Sequence, residues 1–166
     1  DAVSKHTQEL KEVRMTHSDQ SPLLKTSWEQ VVAAVSAIDT SIGKWLTAQH
    51  NIGLTEYRAL EHINASPTHE LRITELAQKL GLNQSSVTRL VGRMEDKNLA
   101  FRDTCPDDAR GIFAVITNHG LETVARIQTA YEAKIQEILK DATQQFPHLE
   151  GSSLSSAFQK VGRLIA

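Results

Sequence analysis

One cysteine in 166 residues rules out an internal disulfide and fits a chain kept in a reducing cytoplasm. No apolar run approaches the roughly 18 residues of a membrane span. The first twenty residues hold no apolar core of the signal-peptide kind, so a cytoplasmic location is expected. Positive charge is not in excess: 18 Lys and Arg against 20 Asp and Glu leave a net charge of −2. DNA binding needs local positive charge rather than a basic total, so a nucleic-acid partner requires a focused site. Catalytic motifs are missing as well. There is no Gly-rich phosphate loop, no G-x-S-x-G elbow and no H-E-x-x-H. The histidines at 6, 17, 50, 62, 69, 119 and 148 are scattered, whereas a zinc site needs three or four convergent ligands. Neither an enzyme, a metal nor a cofactor is expected. The composition, 40% hydrophobic and 23% charged, is that of an ordinary globular chain.

The most informative stretch present is ITELAQKLGLNQSSVTRLVGRMEDK, residues 73–97. Apolar residues fall at Ile73, Leu76, Ala77 and Leu80, then at Leu82, Val87, Leu90, Val91 and Met94. Within each half this is the spacing of an amphipathic helix. Gly81 stands at the break, where a chain leaving a helix often takes a positive φ, and Asn83 suits the N-cap of the next helix. The pattern is a helix-turn-helix. Off the apolar stripe of the second helix lie Gln84, Ser85, Ser86, Thr88, Arg89 and Arg93. Short hydrogen-bonding groups at a helix start, together with guanidinium groups further on, suit the edges of bases in a major groove. A solvated helix face would have the same periodicity. The segment C-terminal to this helix separates the two readings.

From Leu99 to Thr117 two short β-rich segments flank a polar turn containing Pro106 and Gly111, which reads as a hairpin. A hairpin directly after a helix-turn-helix makes a winged helix, with Arg110 projecting from the loop toward a minor groove. Leu71–Ile73 alternates and suits a third small strand, with Arg72 a surface charge. The runs ITELAQKLGLNQSSVTRLVGRMEDKNL and DDARGIFAVIT resemble the MarR family of bacterial transcriptional regulators, over about Ile52 to Gly120. The resemblance implies that the helix Gln84–Lys97 reads the major groove. It also implies that Asp108 and Arg110 form the wing's Asp-x-Arg pair, with Ala109 where many members carry a further arginine. Gln84, Ser86, Arg89 and Arg110 carry over position by position.

Around this module run long helical patterns. One begins near Ser21-Pro22 and carries Trp28, Val31, Val32, Val35, Ile38, Ile42, Trp45 and Leu46. A short helix comes next, capped by Thr55, with Tyr57, Leu60 and Ile63 inward. After the wing, Thr117 caps a helix carrying Leu121, Val124, Ile127, Tyr131, Ile135, Ile138 and Leu139, and a last helix holds Leu154 to Ile165. The expected architecture is mostly α with a small β wing. An N-terminal extension covers 1–20, a helical dimerisation region covers 21–52 and 118–166, and a winged helix-turn-helix covers 53–117. Apolar faces larger than one small module can cover point to a two-fold homodimer, as does the resemblance.

The resemblance further implies a ligand-responsive repressor acting on a pseudo-palindromic duplex. Its effector would be a small aromatic or phenolic compound, held near Trp28, Trp45, Tyr57, Arg58 and His62. Urate-responsive relatives carry an acidic residue where this chain has Arg58, so urate is not the expected effector. Two other readings stand beside this one: a winged helix for protein interaction without DNA, and a redox sensor working through Cys105, near Arg102 and Arg110. The sensing cysteine of relatives lies near the N-terminal helix, and Cys105 does not match it.

Overall fold

The computed structural model describes residues 20–104 and 111–145, together with the helical positions 159 and 163. Its elements in chain order are helix α1 (Gln20–His50), α2 (Leu54–Asn64), strand β1 (Glu70–Arg72), α3 (Ile73–Leu80), α4 (Gln84–Asp96), β2 (Ala100–Thr104), β3 (Ile112–Ile116) and α5 (Asn118–Gln145). Residues 1–19 of the expected N-terminal extension, most of the last helix, and Cys105, Asp108 and Arg110 lie outside the described residues. The fold is mostly α with one small sheet. Two compact units are distinguished, Asp1–Ser41 and Ile42–Ala166.

In the first unit, the described part of α1 exposes its apolar stripe. Trp28 is 65% exposed, Val31 47%, Val32 49% and Val35 42%. Within it Thr40 Oγ1 donates to the Ser36 carbonyl at 2.8 Å.

In the second unit, the end of α1 buries Ile42 and Leu46, and Ile52 is buried just beyond it. Tyr57, Leu60 and Ile63 of α2, Leu76 and Ala77 of α3, and Val87, Leu90, Val91 and Met94 of α4 complete the helical core. These are positions expected from periodicity, but Leu80 is only half-buried, and Leu82 lies in the turn between α3 and α4 and is 38% exposed. On α5, Val124, Ile127 and Tyr131 are buried, and burial falls away beyond them, where Ile135, Ile138 and Leu139 are only half-buried.

The sheet has the order β1-β3-β2, antiparallel throughout. Leu71 pairs with Ala114, Ala100 with Ile116 and Thr104 with Ile112. The third strand expected near Leu71 is therefore present, one residue earlier than the sequence suggested, because Ile73 already begins α3. The start of α2 also differs from expectation. Thr55 does not cap it; Gly53 does, in an extended conformation, and the Glu56 carboxylate three residues on accepts its N–H at 3.0 Å. The same device opens α3, where Glu75 accepts from Arg72 N at 3.2 Å. Thr117 does cap α5, its hydroxyl accepting from Gly120 N at 2.9 Å.

Candidate nucleic-acid interface

The turn between α3 and α4 is built from three local choices. Gly81 takes φ of 65°, and Leu82 N donates back to Ala77 O at 3.0 Å, which closes α3 in a Schellman arrangement. Asn83 is extended, and its Oδ1 accepts from Ser86 N at 2.8 Å. Ser85 Oγ donates to the same oxygen at 2.8 Å. Apolar burial of Val87, Leu90, Val91 and Met94 then decides which face of α4 turns outward.

That outer face presents Gln84, Ser85, Arg89 and Arg93 as exposed side chains, with Ser86 and Thr88 half-buried beside them. The exposed Gln84 amide makes no hydrogen bond within the described residues, so its donor and its acceptor are both available to a partner. Thr88 Oγ1 donates to Gln84 O at 3.0 Å, which uses its proton and leaves its acceptor capacity. Arg89 Nε makes only a long contact of 3.4 Å to Ser85 O. These six residues lie on the side of α4 away from its buried stripe. The wing partners Asp108 and Arg110, and Cys105, lie outside the described residues.

Behind the face sits a residue that sequence reading did not assign. Glu56 is 5% exposed, yet it is charged. Its Oε2 meets Lys97 Nζ at 2.7 Å and its Oε1 lies 3.7 Å from Arg93 Nε. Lys97 Nζ also donates to the Asn51 carbonyl at 3.3 Å. Burial alone would raise the Glu56 pKa. The hydrogen bonds from Lys97 and Gly53 N, with the charges of Lys97 and Arg93, outweigh it and hold the carboxyl below its ordinary value. A signal for Glu56 was present: it falls at i, i+4 and i+7 with Leu60 and Ile63, so a carboxylate occupies the apolar stripe of α2.

Arg102, a cation of the same module, is turned to a neighbour on α4. Its Nε and Nη2 contact Glu95 Oε2 at 3.1 and 2.8 Å, and its N–H donates to Glu95 Oε1 at 2.8 Å. This fork joins α4 to β2. Arg72 lies over the Phe113 ring at 4.9 Å, so it belongs to the packing of the sheet.

The residues named for an effector fall in both units. Trp28 lies in the first unit and is exposed. Trp45 is half-buried, edge-on to His50 with centroids 5.0 Å apart. Tyr57 is fully buried, its ring 4.7 Å from that of Tyr131, which makes it a core residue. Its hydroxyl has no hydrogen bond of good geometry among the described residues, although the Glu61 carboxyl lies beside it. Arg58 and His62 are half-buried one turn apart on α2. Burial, with Lys79 and Arg58 nearby, pushes the His62 pKa down. Among the described residues no cluster of three or more His, Cys, Asp or Glu is placed to hold a metal, and no helix is long and apolar enough to cross a membrane.

A helix-turn-helix whose second helix turns a polar, guanidinium-bearing face outward, with a strand pair after it closed by β1, is a winged helix-turn-helix. Residues 50–111 match the model of the MarR family. Its sequence is 30% identical over 91 residues to the HTH-type transcriptional regulator MhqR of Bacillus subtilis (strain 168), covering 55% of this chain and 61% of that protein. The chain thus spans less than two thirds of that relative. In three dimensions it is similar to AbsC, a MarR family transcriptional regulator from Streptomyces coelicolor, with a TM-score of 0.70 and 24% identity over 84% of this chain and 90% of that one. It is also similar to Sco3205, a MarR family transcriptional regulator from the same organism, in complex with DNA. There the TM-score is 0.71 and the identity 23%, over 85% of this chain and 84% of that one.

Proposed function

We propose that this chain is a sequence-specific double-stranded DNA-binding transcriptional regulator of the cytoplasm, acting as a homodimer. The observation that carries this reading is the outer face of α4. Among the described residues Gln84 at the helix start is unpaired, Ser85 and Thr88 use their protons and keep their acceptor capacity, and Arg89 is held only by a long contact. Helix N-termini with such groups meet base edges in a major groove. Gln suits adenine, Arg suits guanine, and Ser or Thr suits either. Support from outside the chain is the family match at residues 50–111 and the likeness to a relative crystallised with DNA.

A second copy is the proposed occupant of the exposed stripe Trp28, Val31, Val32 and Val35. Two-fold pairing would give two α4 helices for the halves of a pseudo-palindrome. Repression relieved by a small aromatic or phenolic effector is the mode of action we assign. An effector of this kind works only through unequal affinity for the DNA-competent and incompetent arrangements.

The test is a titration of wild type and Arg89→Ala against operator DNA selected from a random pool. A base-reading arginine should cost roughly 1–3 kcal/mol on removal and relax preference at one position of each half-site. Equal binding by both proteins would remove Arg89 from the reading face. Failure of the wild type to bind any duplex at low salt would leave a protein-interaction module instead.

A further inference from the structure

Arg89, Arg93 and Lys97 are spaced four residues apart. At about 100° per residue each such step drifts ~40° around the helix. The three cations therefore form a ridge that leaves the outer face of α4 and ends against α2. Their surroundings change along it. Among the described residues Arg89 makes one hydrogen bond, a long one of 3.4 Å to Ser85 O of its own helix. Arg93, 57% exposed, lies 3.7 Å from Glu56. Lys97, 37% exposed, is bound to Glu56 at 2.7 Å and to the Asn51 carbonyl at 3.3 Å. A single buried carboxylate thus engages one cation with each oxygen, and its Oε2 also takes the Gly53 N–H at 3.0 Å.

We propose that Glu56 is a positioning residue that stands in for a backbone phosphate, withholding Lys97 and part of Arg93 from DNA so that only the Arg89 end of the ridge is open. It sets the ratio of specific to non-specific binding, and it ties the end of α4 to the elbow at Asn51–Gly53. The inference rests on the DNA-binding reading above. Non-specific affinity comes from phosphate neutralisation and is read as the slope of log K against log salt. Glu56→Gln keeps the size and the acceptor oxygen but releases the charge. A residue that served packing alone would weaken binding without steepening that slope.

The experiment measures binding to random-sequence and pool-selected duplexes from 50 to 200 mM salt. For Glu56→Gln the random-duplex slope should steepen by one to two phosphate contacts, each enlarging the loss over that range about 3–4-fold. The selected-to-random ratio should fall. Adding Lys97→Met should remove one contact's worth of the gain. Lys97→Met with Glu56 intact should leave the slope unchanged, and this variant decides the matter if Glu56→Gln does not fold. An unchanged or shallower slope in Glu56→Gln, or a slope one contact shallower in Lys97→Met alone, overturns the role of Glu56. A wild type that binds no duplex overturns the DNA reading with it, whereas binding without the slope change overturns only this inference.

Discussion

Two glutamates on α2 respond to burial in opposite ways because their neighbours differ. Glu56 has cations and a backbone N–H around it, and its carboxyl is held below the ordinary 4.5. Its contribution to stability is complete above pH 4.5 and is lost as pH falls through the lowered folded value. At Glu61 burial dominates, and Glu132 adds to it, so the carboxyl is raised above 4.5 despite Arg58 and the Tyr57 hydroxyl. The folded chain then takes the proton first, so an ionised Glu61 costs stability above the raised value, and the cost vanishes below 4.5. Thermal melts of Glu61→Gln should therefore show a higher Tm than wild type at about pH 7 and no difference below pH 4.5. A lower Tm at neutral pH would show that the Glu61 charge has a partner that matters. Tyr57→Phe should be neutral or more stable by about 1 kcal/mol in urea unfolding, since it removes a buried hydroxyl without a well-formed hydrogen bond while keeping the ring on Tyr131. Of these residues Tyr57 is read as inward-facing from sequence, and the place of Glu56 on the apolar stripe of α2 is a signal that the reading passes over. The role of Glu56 depends on Lys97, 41 positions away, and no local pattern announces a pair of that separation.

At the scale of elements, local chemistry did most of the specifying. Gly81, Asn83 and Thr117 each sit at a helix end that their own backbone or side-chain preferences dictate. Thr55 misled because a hydroxyl before a helical run looks like a cap. The first turn was instead closed by a carboxylate three residues after Gly53, a signal equally present in the sequence but weaker in isolation. Asn83→Ala removes the bond to Ser86 N and should cost about 1 kcal/mol. Operator affinity should fall more than this stability loss alone explains, because Asn83 also orients Ser85. Gly120 allows the start of α5 to pass against the end of the wing. A Cβ there would collide with the Leu99 carbonyl oxygen and lie 2.6 Å from Ile116 Cγ1. Gly120→Ala should cost about 2 kcal/mol or more, read by urea unfolding. A change within error would mean that the junction between α5 and the sheet yields freely.

At the scale of the whole molecule, the long helices were legible as periodic stripes, but what covers them was not. The stripe of α1 is buried at Ile42 and Leu46 and exposed at Trp28, Val31, Val32 and Val35, although its spacing is the same throughout. Periodicity says which face is apolar and is silent about whether the cover comes from the same chain. A second copy is the cover proposed here, so Val31→Asp with Val32→Asp should shift sedimentation from dimer to monomer. Persistence of the dimer would place its interface elsewhere. The most direct measurement of the central claim is selection of duplexes from a random pool by the wild-type protein, then Arg89→Ala on the winners. The expected result is an inverted repeat with half-site centres about one helical turn, ~34 Å, apart, and relaxed preference at one position per half in the variant. A pool with no enriched sequence, or a variant indistinguishable from wild type, would contradict the proposal that paired α4 helices read DNA.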